Sequence, residues 1–333
     1  MKDFITLPKT EEIQQLIQDA QQLKKENTAH NIGKGKILGM LFFNPSLRTR
    51  LSTEKAAKLL GMDVMVLNAG SDGWALEFED GAIMDSDKAE HIKEAAAVLS
   101  QYFDIIAVRA FPELKSREKD ASEKILSSFQ KYATVPVINL ESATGHPLQA
   151  LTDALTISEL KSKPRPKVVL SWAPHPKALP HSVPNSFVEI MQKMDVELSI
   201  ANPEGYNLNP ETTKNTPVFH NQEEALKNAD FVYVKNWSSY EKYGQVLPGN
   251  ESWIFNEEKL KLTQNAKVMH CLPVRRNVVI ADEVLDSENS VVIWQAGNRT
   301  FAAQAVLKKL LAPKVNRKEH KEKNAQRTQR KKR

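Results

Sequence analysis

Ile37-Leu38-Gly39-Met40-Leu41-Phe42-Phe43-Asn44-Pro45-Ser46-Leu47-Arg48-Thr49-Arg50 is where the chain most clearly declares its architecture. Seven apolar residues run without a break, Asn44-Pro45 interrupts them, and a polar stretch of helical character follows, the signature of a strand feeding a helix through a tight junction. Such a junction aims unpaired backbone N–H groups and the positive end of the helix dipole at one point. Ser46, Arg48 and Thr49 add hydroxyl and guanidinium donors there, so the spot suits a phosphate. The plainer alternative is an ordinary Ser or Thr cap beside a solvated Arg.

Outward from this segment, short apolar runs alternate with helical patterns, which points to parallel sheets with crossover helices. The first half predicts strands at Ile37–Phe43, Asp63–Leu67, Ile105–Val108 and Val135–Ile138, with helices over about 10–26, 48–61, 87–102 and 113–131. A helix over 147–161 opens with Pro147 at a favoured first position and ends near Lys163-Pro164-Arg165-Pro166, a natural hinge. The second half repeats the theme, with strands at Lys167–Ser171, Val196–Ile200, Phe231–Val234, Lys267–His270 and Val291–Ile293 and a closing helix over about 299–311. Two α/β domains are expected. Asn68 to Ser86, around Trp74, and Ser238 to Ser252 read as long loops of the kind that form lids or binding loops.

A chain of 333 residues is long enough for two domains, and 41% apolar with 26% charged residues is ordinary for a globular protein. No apolar run approaches the 18 or so residues of a membrane span, and the opening residues lack a secretory h-region. The single cysteine, Cys271, excludes an internal disulfide and a cysteine-cluster metal site, so a cytoplasmic location is expected. The net charge of +5 is misleading as a hint of nucleic-acid binding. Residues 313–333 hold ten of the 46 Lys and Arg and two of the 41 Asp and Glu, so the first 312 residues carry −3. That basic tail, without apolar periodicity, is expected to be disordered, and the folded body offers no basic footprint for nucleic acid.

Gly33-Lys34-Gly35-Lys36 precedes a strand instead of following one and lacks the spacing of a phosphate loop, so it reads as a turn. No His-Glu-x-x-His or closely spaced His/Asp pair recommends a metal. His146-Pro147-Leu148-Gln149 and His270-Cys271-Leu272-Pro273 fall at the carboxyl ends of strands or in the crevice between domains, where open α/β folds hold ligands. Each alone is weak, since a lone His is usually structural and a lone Cys is usually a small buried hydrophobe.

Ser46-Leu47-Arg48-Thr49-Arg50, Arg109, His146-Pro147-Leu148-Gln149, His270-Cys271-Leu272-Pro273 and Asn298-Arg299 together resemble, in order and separation, the aspartate/ornithine carbamoyltransferase family over about residues 1–312. The Ser-x-Arg-Thr-Arg and His-Cys-Leu-Pro pairing is similar to the ornithine side of that family. The acceptor region departs from plain ornithine enzymes. Phe231-Val232-Tyr233-Val234-Lys235-Asn236-Trp237 carries Lys235 where an acidic residue would meet an α-ammonium, and no Ser-Met-Gly follows. A lysine makes sense if the α-nitrogen is acylated, because an amide needs no anion while the α-carboxylate still needs a cation. With Trp74 and Glu141, this looks like the N-acylornithine branch. Most of the pocket is similar to the N-succinylornithine enzymes, whereas Glu90, where those have Pro, is similar to the N-acetylornithine ones.

The resemblance implies two three-layer α/β domains with parallel sheets joined by interdomain helices, the transcarbamylase fold. It divides the chain into a carbamoyl-phosphate-binding domain (1–146), an interdomain helix (147–163), an acylornithine-binding domain (164–296), a helix returning to the first domain (297–312) and the tail (313–333). It implies a catalytic set of Arg109, His146 and Thr49. Carbamoyl phosphate would be held by Ser46, Leu47, Arg48, Thr49, Arg109, His146, Gln149, Cys271, Leu272 and Arg299, with Trp74 from a neighbouring subunit of a homotrimer. Glu90, Glu141, Lys235, Leu272 and Arg275 would face the acylornithine. No cofactor or metal is implied, and the partners are the two small substrates, with no membrane and no nucleic acid. An ordinary ornithine carbamoyltransferase is the second reading. A non-catalytic relative is the third, and it would be expected to lack Arg109 or His146.

Overall fold

The structure, a computed structural model, describes residues 1–312. The tail expected to be disordered, 313–333, lies outside the described residues. Two parallel sheets organise the chain. The first has the order β2-β1-β5-β6, built from β1 (Ile37–Phe42), β2 (Asp63–Asn68), β5 (Ile105–Arg109) and β6 (Val137–Glu141). A separate two-stranded ribbon joins β3 (Leu76–Glu77) to β4 (Glu90–His91). The second sheet has the order β11-β10-β7-β8-β9, from β7 (Lys167–Trp172), β8 (Glu197–Ala201), β9 (Val218–Phe219), β10 (Phe231–Lys235) and β11 (Lys267–Met269).

Strand order explains where a site can form. From β1 the chain moves outward to β2 and returns on the other side as β5, while β7 is followed outward by β8 and β9 before β10 pairs on its opposite edge. Each reversal splays the connections leaving the strand ends and opens a crevice at their carboxyl ends.

The helices cover these sheets by the two-residue alternation of strands. Leu38, Met40 and Phe42 of β1 join a central core with α1 (Thr10–Glu26), α2 (Arg48–Leu59), α6 (Pro147–Leu160) and the last helix, α12 (Val292–Leu311). Leu41 faces the opposite side, against α3 (Ile92–Tyr102) and α5 (Lys124–Tyr132). The same central core takes Val168, Leu170 and Trp172 of β7 and the packed side of α7 (Ser182–Met191), whereas Val169 turns to the second domain's outer core. Five short helices complete the chain: α4 (Arg117–Ala121), α8 (Pro210–Thr213), α9 (Gln222–Leu226), α10 (Glu257–Lys261) and α11 (Asp282–Leu285). Among the described residues no helix is long and apolar enough to cross a membrane.

Several expected elements differ. Val291–Ile293 is not a strand: Ser290 makes one isolated bridge to Val268, and the chain then turns at once into α12, seven residues before the expected 299. Ile293 is 76% exposed, so the apolar run does not mark a buried strand. The helix expected over 113–131 is broken into α4 and α5 at Glu123, which takes a left-handed conformation (φ 50°) while its carboxylate accepts from Ser142 and Thr144. The helix expected from 87 starts at Ile92, so Glu90 sits in β4 and not on a helix.

Gly39 of β1 is a position where packing, not backbone freedom, demands glycine, because a Cβ there would fall inside the Phe103 ring. Gly39→Ala should destabilise the chain by about 1–3 kcal/mol through overpacking. A urea midpoint indistinguishable from the parent's would show that Phe103 can move aside.

Candidate active site

A cavity of about 660 Å³ lies between the two sheets at the strand ends. Phe42, Arg109, Glu141 and Lys235 reach it from the last positions of β1, β5, β6 and β10, and the 45–50 segment, Phe111, His146, His175 to Val183 and Cys271 to Pro273 from the connections after β1, β5, β6, β7 and β11. Arg299 enters from α12 and Gln149 from α6. Residues distant in sequence thus meet because every one of them follows, or faces, the carboxyl end of a parallel strand.

The start of α2 is electrostatically bare. Leu47 occupies the cap position without a side-chain cap bond, no acidic residue stands in the first turn, and Arg48 and Arg50 lie in it. Free N–H groups, the helix dipole and these two cations add with one sign. Arg299 is buried beside them. One of its Nη atoms donates to Thr49 Oγ1 at 2.7 Å, the other donates to Gln149 Oε1, and its Nε has no partner among the described residues. Burial holds its pKa below the usual guanidinium value.

Arg109 is fixed from three sides. It donates to the Pro45 carbonyl at 2.5 Å and to Glu141 Oε2 at 3.0 Å, and its guanidinium stacks over Phe111. Glu141 in turn accepts from Ser182 Oγ at 3.0 Å, so this carboxylate joins an arginine of the first sheet to a helix of the second domain. His146 lies 3.7 Å from Glu141, is buried, and leaves Nδ1 without a partner among the described residues. Burial, with the charges of Arg299 and Arg109, pushes its pKa well below the ordinary imidazole value, so the ring is neutral at physiological pH. Burial, then Lys235 and Arg48, does the same to His270. The Cys271 thiol is pushed up by burial, which keeps it protonated and a poor nucleophile.

The cavity therefore gathers Ser46, Leu47, Arg48, Thr49, Arg109, Glu141, His146, Gln149, Lys235, Cys271, Leu272 and Arg299. Trp74, Glu90 and Arg275 are not among its lining residues. Trp74 is 61% exposed and donates through Nε1 to Glu90 Oε2 at 2.7 Å, while Arg275 donates to His175. Sequence reading missed His175 and Ser182. Both lie soon after β7, so their position beyond a parallel strand was the available signal. It also missed Asp153, one helical turn after Gln149, for which no local signal exists.

A fold with two parallel sheets meeting at a cation-lined cleft defines a class in which an anionic substrate is bound between domains. The chain belongs to the aspartate/ornithine carbamoyltransferase family: the family model for its carbamoyl-P binding domain matches residues 2–159 and that for its Asp/Orn binding domain matches residues 180–310. The N-succinylornithine carbamoyltransferase of Bacteroides fragilis is 46% identical over 314 residues, covering 93% of this chain and 99% of that one. The N-acetylornithine carbamoyltransferase of Xanthomonas campestris is 38% identical over 321 residues, covering 90% and 94%. Among solved structures, acetylornithine transcarbamylase complexed with acetylcitrulline matches with a TM-score of 0.86 at 36% identity, covering 93% of this chain and 99% of that one. A glutamate-to-alanine variant of N-acetyl-L-ornithine transcarbamylase, complexed with carbamyl phosphate and N-succinyl-L-norvaline, matches with a TM-score of 0.87 at 37% identity, covering 93% and 100%.

The neutral buried His146 links the site to stability. An unfolded histidine takes a proton near pH 6.5, whereas His146 in the fold refuses it until far lower, so its contribution is present above about 6.5 and is lost as pH falls below that. Asp153, pushed up to about 7, works with the opposite sign over the same range, which makes a difference measurement necessary. Between pH 7 and 5 the unfolding free energy of His146→Gln should fall less steeply than the parent's, by up to about 1.4 kcal/mol per pH unit. Equal slopes in urea titrations would mean that His146 is protonated in the folded chain.

Proposed function

We propose that this chain transfers the carbamoyl group of carbamoyl phosphate to the δ-amine of an Nα-acyl-L-ornithine, giving an N-acylcitrulline and phosphate in arginine biosynthesis. The observation that carries the reading is the convergence of Arg48, Arg109 and Arg299 on the bare start of α2, with the neutral His146 alongside. Residues 1–146 serve carbamoyl phosphate and 164–296 the acceptor, with 147–163 linking them and 297–312 returning to the first domain. The phosphate is held by Ser46, the Leu47 backbone, Arg48, Thr49, Arg109 and Arg299. Arg109, His146 and Thr49 polarise the carbamoyl oxygen, while Gln149 Oε1 and the backbone carbonyls of Cys271 and Leu272 accept from its amide.

The deprotonated δ-amine attacks the carbamoyl carbon, the carbon–oxygen bond to phosphate breaks, and the departing phosphate takes the proton shed by the amine. Orientation in a closed cleft and donors fixed before reaction begins supply the rate. A neutral His146 can donate a hydrogen bond to the developing oxyanion without holding a positive charge in the buried ground state. Lys235 supports the acylated acceptor, because it offers a cation for an α-carboxylate where a free α-ammonium would be repelled. Glu141 and Leu272 complete the acceptor side, with Arg275 acting there from behind His175. A cytoplasmic location belongs to this reading and is supported by the free Cys271.

A homotrimer with shared sites also belongs to it. Trp74 stands outside the cavity of its own chain, and Leu47, Leu51 and Met65 expose apolar surface on the same domain, which supports a neighbouring subunit seated there. Arg109→Ala should lower kcat by about 10²- to 10³-fold in a chain that still folds, with a lowered thermal midpoint because Glu141 loses its buried partner. Mixed trimers of inactive Arg109→Ala and Trp74→Ala chains should recover activity, because some sites then combine an intact Arg109 with an intact Trp74. Near-normal turnover of Arg109→Ala would refute the assignment, and verified mixed trimers without recovery would refute the sharing.

Glu90 sets the acyl preference in this reading. Its carboxylate, bonded to Trp74 and so carried with it to the neighbouring subunit's site, tolerates the small neutral acetyl amide but meets a second carboxylate in a succinyl group. Like charges in a partly desolvated site cost about 1–3 kcal/mol, roughly 5- to 150-fold in affinity. N-acetylornithine is therefore the expected substrate, and Glu90→Pro should move kcat/KM toward N-succinylornithine. A parent chain already strongly favouring the succinyl substrate would contradict the argument.

A further inference from the structure

Asp153 lies one turn beyond Gln149 on α6, has no exposed surface, and is used by none of the steps above. Its Oδ1 accepts two bonds at once, from Gln149 Nε2 at 2.6 Å and from Gln295 Nε2 at 2.7 Å. Each of these amides is committed at its other end to a group that can only donate. Gln149 Oε1 accepts from the Arg299 guanidinium, and Gln295 Oε1 accepts from the His270 backbone N–H at 2.9 Å. An arginine or a peptide N–H cannot face an NH₂ group, and an amide NH₂ must face an acceptor, so the pattern admits one orientation of each amide.

We infer that Asp153 is a positioning residue that sets the carbamoyl subsite by fixing which end of the Gln149 amide faces the cleft. The inference rests on the reading that Gln149 receives the carbamoyl amide. The chain of bonds acts on both sides of that group. On one side Asp153 turns Gln149 Oε1 toward the cleft; an amide oxygen has two lone pairs, so it can accept from Arg299 and from a carbamoyl NH₂ together. On the other side Asp153, through Gln295, ties down the backbone at His270, directly before the Cys271 and Leu272 carbonyls. One carboxyl oxygen on the interdomain helix thereby aligns an acceptor on that helix with the two backbone carbonyls of the second domain. The role needs an acceptor at Oδ1 and no charge, and burial raises the carboxyl to about 7, so the charge is weakly held. Among the described residues no partner stands within hydrogen-bond distance of Oδ2, and Tyr233, which acts on the carboxyl, is the polar group beside it.

The test uses acetyl phosphate, which carries a methyl group where carbamoyl phosphate carries NH₂, and inorganic phosphate, which reports the anion subsite alone. Both are measured as competitors of carbamoyl phosphate on the full chain, and the readout is the ratio of the acetyl phosphate inhibition constant to the carbamoyl phosphate KM. Asp153→Leu should lower that ratio about tenfold, the worth of one hydrogen bond in a buried site, with phosphate inhibition within about threefold of the parent. Asp153→Asn, which keeps an oxygen acceptor in the same place, should keep the ratio within about threefold. Should Asp153→Leu fail to fold, Asp153→Ala carries the same expectation.

An unchanged ratio in the Leu or Ala variant overturns the inference. So does an equal loss of phosphate binding, which would mean a merely structural role, or an Asn variant that loses discrimination as fully as Leu. Gln149→Ala, run in parallel, separates this from the reading beneath it. If that variant discriminates like the parent, the assignment of Gln149 to the carbamoyl amide falls, and the inference falls with it.

Discussion

A buried guanidinium held by neutral groups is the constraint around which this cleft is arranged. Arg299 gives its hydrogen bonds to Thr49 and Gln149, and its Nε is unpartnered among the described residues. Burying a cation costs several kcal/mol unless an anion compensates it. The start of α2 cannot compensate, because its dipole and its side chains, Arg48 and Arg50, have the same sign. The carboxylates of Glu141 and Asp153 act on it through space, and helices α1, α2, α6 and α12 form one continuous core that holds the cation in place. Positive potential concentrated in a low-dielectric cleft is what an anionic substrate would relieve.

Glu141 and His146 keep the excess charge from becoming indiscriminate. Glu141 takes one face of Arg109 and also accepts from Ser182, so its single charge is spent on orientation. His146 is driven neutral by burial and then by the charges of Arg299 and Arg109, which turns it from a further cation into a hydrogen-bond group. The cleft can then distinguish an oxyanion, which wants charge, from a carbonyl oxygen, which wants a directed donor. In a family that moves a carbamoyl group, both demands fall on one small molecule.

Much of the architecture was legible from local pattern. The apolar run Ile37–Phe42 followed by Asn44-Pro45 forms a strand and a helix start, and the alternation of runs yields parallel sheets, because period and punctuation are local properties. The departures arise where partners outside the segment decide. Val291–Ile293 has strand composition, but a single bridge at Ser290 is all the sheet can accept before α12 begins. The break at Glu123 depends on hydroxyl and backbone groups some twenty residues ahead, which no helical periodicity encodes.

By itself the sequence determined the junction at 44–50, the two α/β units, the His-Pro-Leu-Gln and His-Cys-Leu-Pro segments, and the presence of Lys235 where an acid would otherwise serve. Only the tertiary structure decided that Trp74 and Glu90 pair with one another outside the cavity of their own chain. It alone brought His175 and Ser182 to the site, made His146 neutral, and set Asp153 between Gln149 and Gln295. The reason is physical. A strand or a helix start is written in neighbouring residues, whereas desolvation and a shared hydrogen-bond acceptor depend on groups more than a hundred residues apart, such as Asp153 and Gln295.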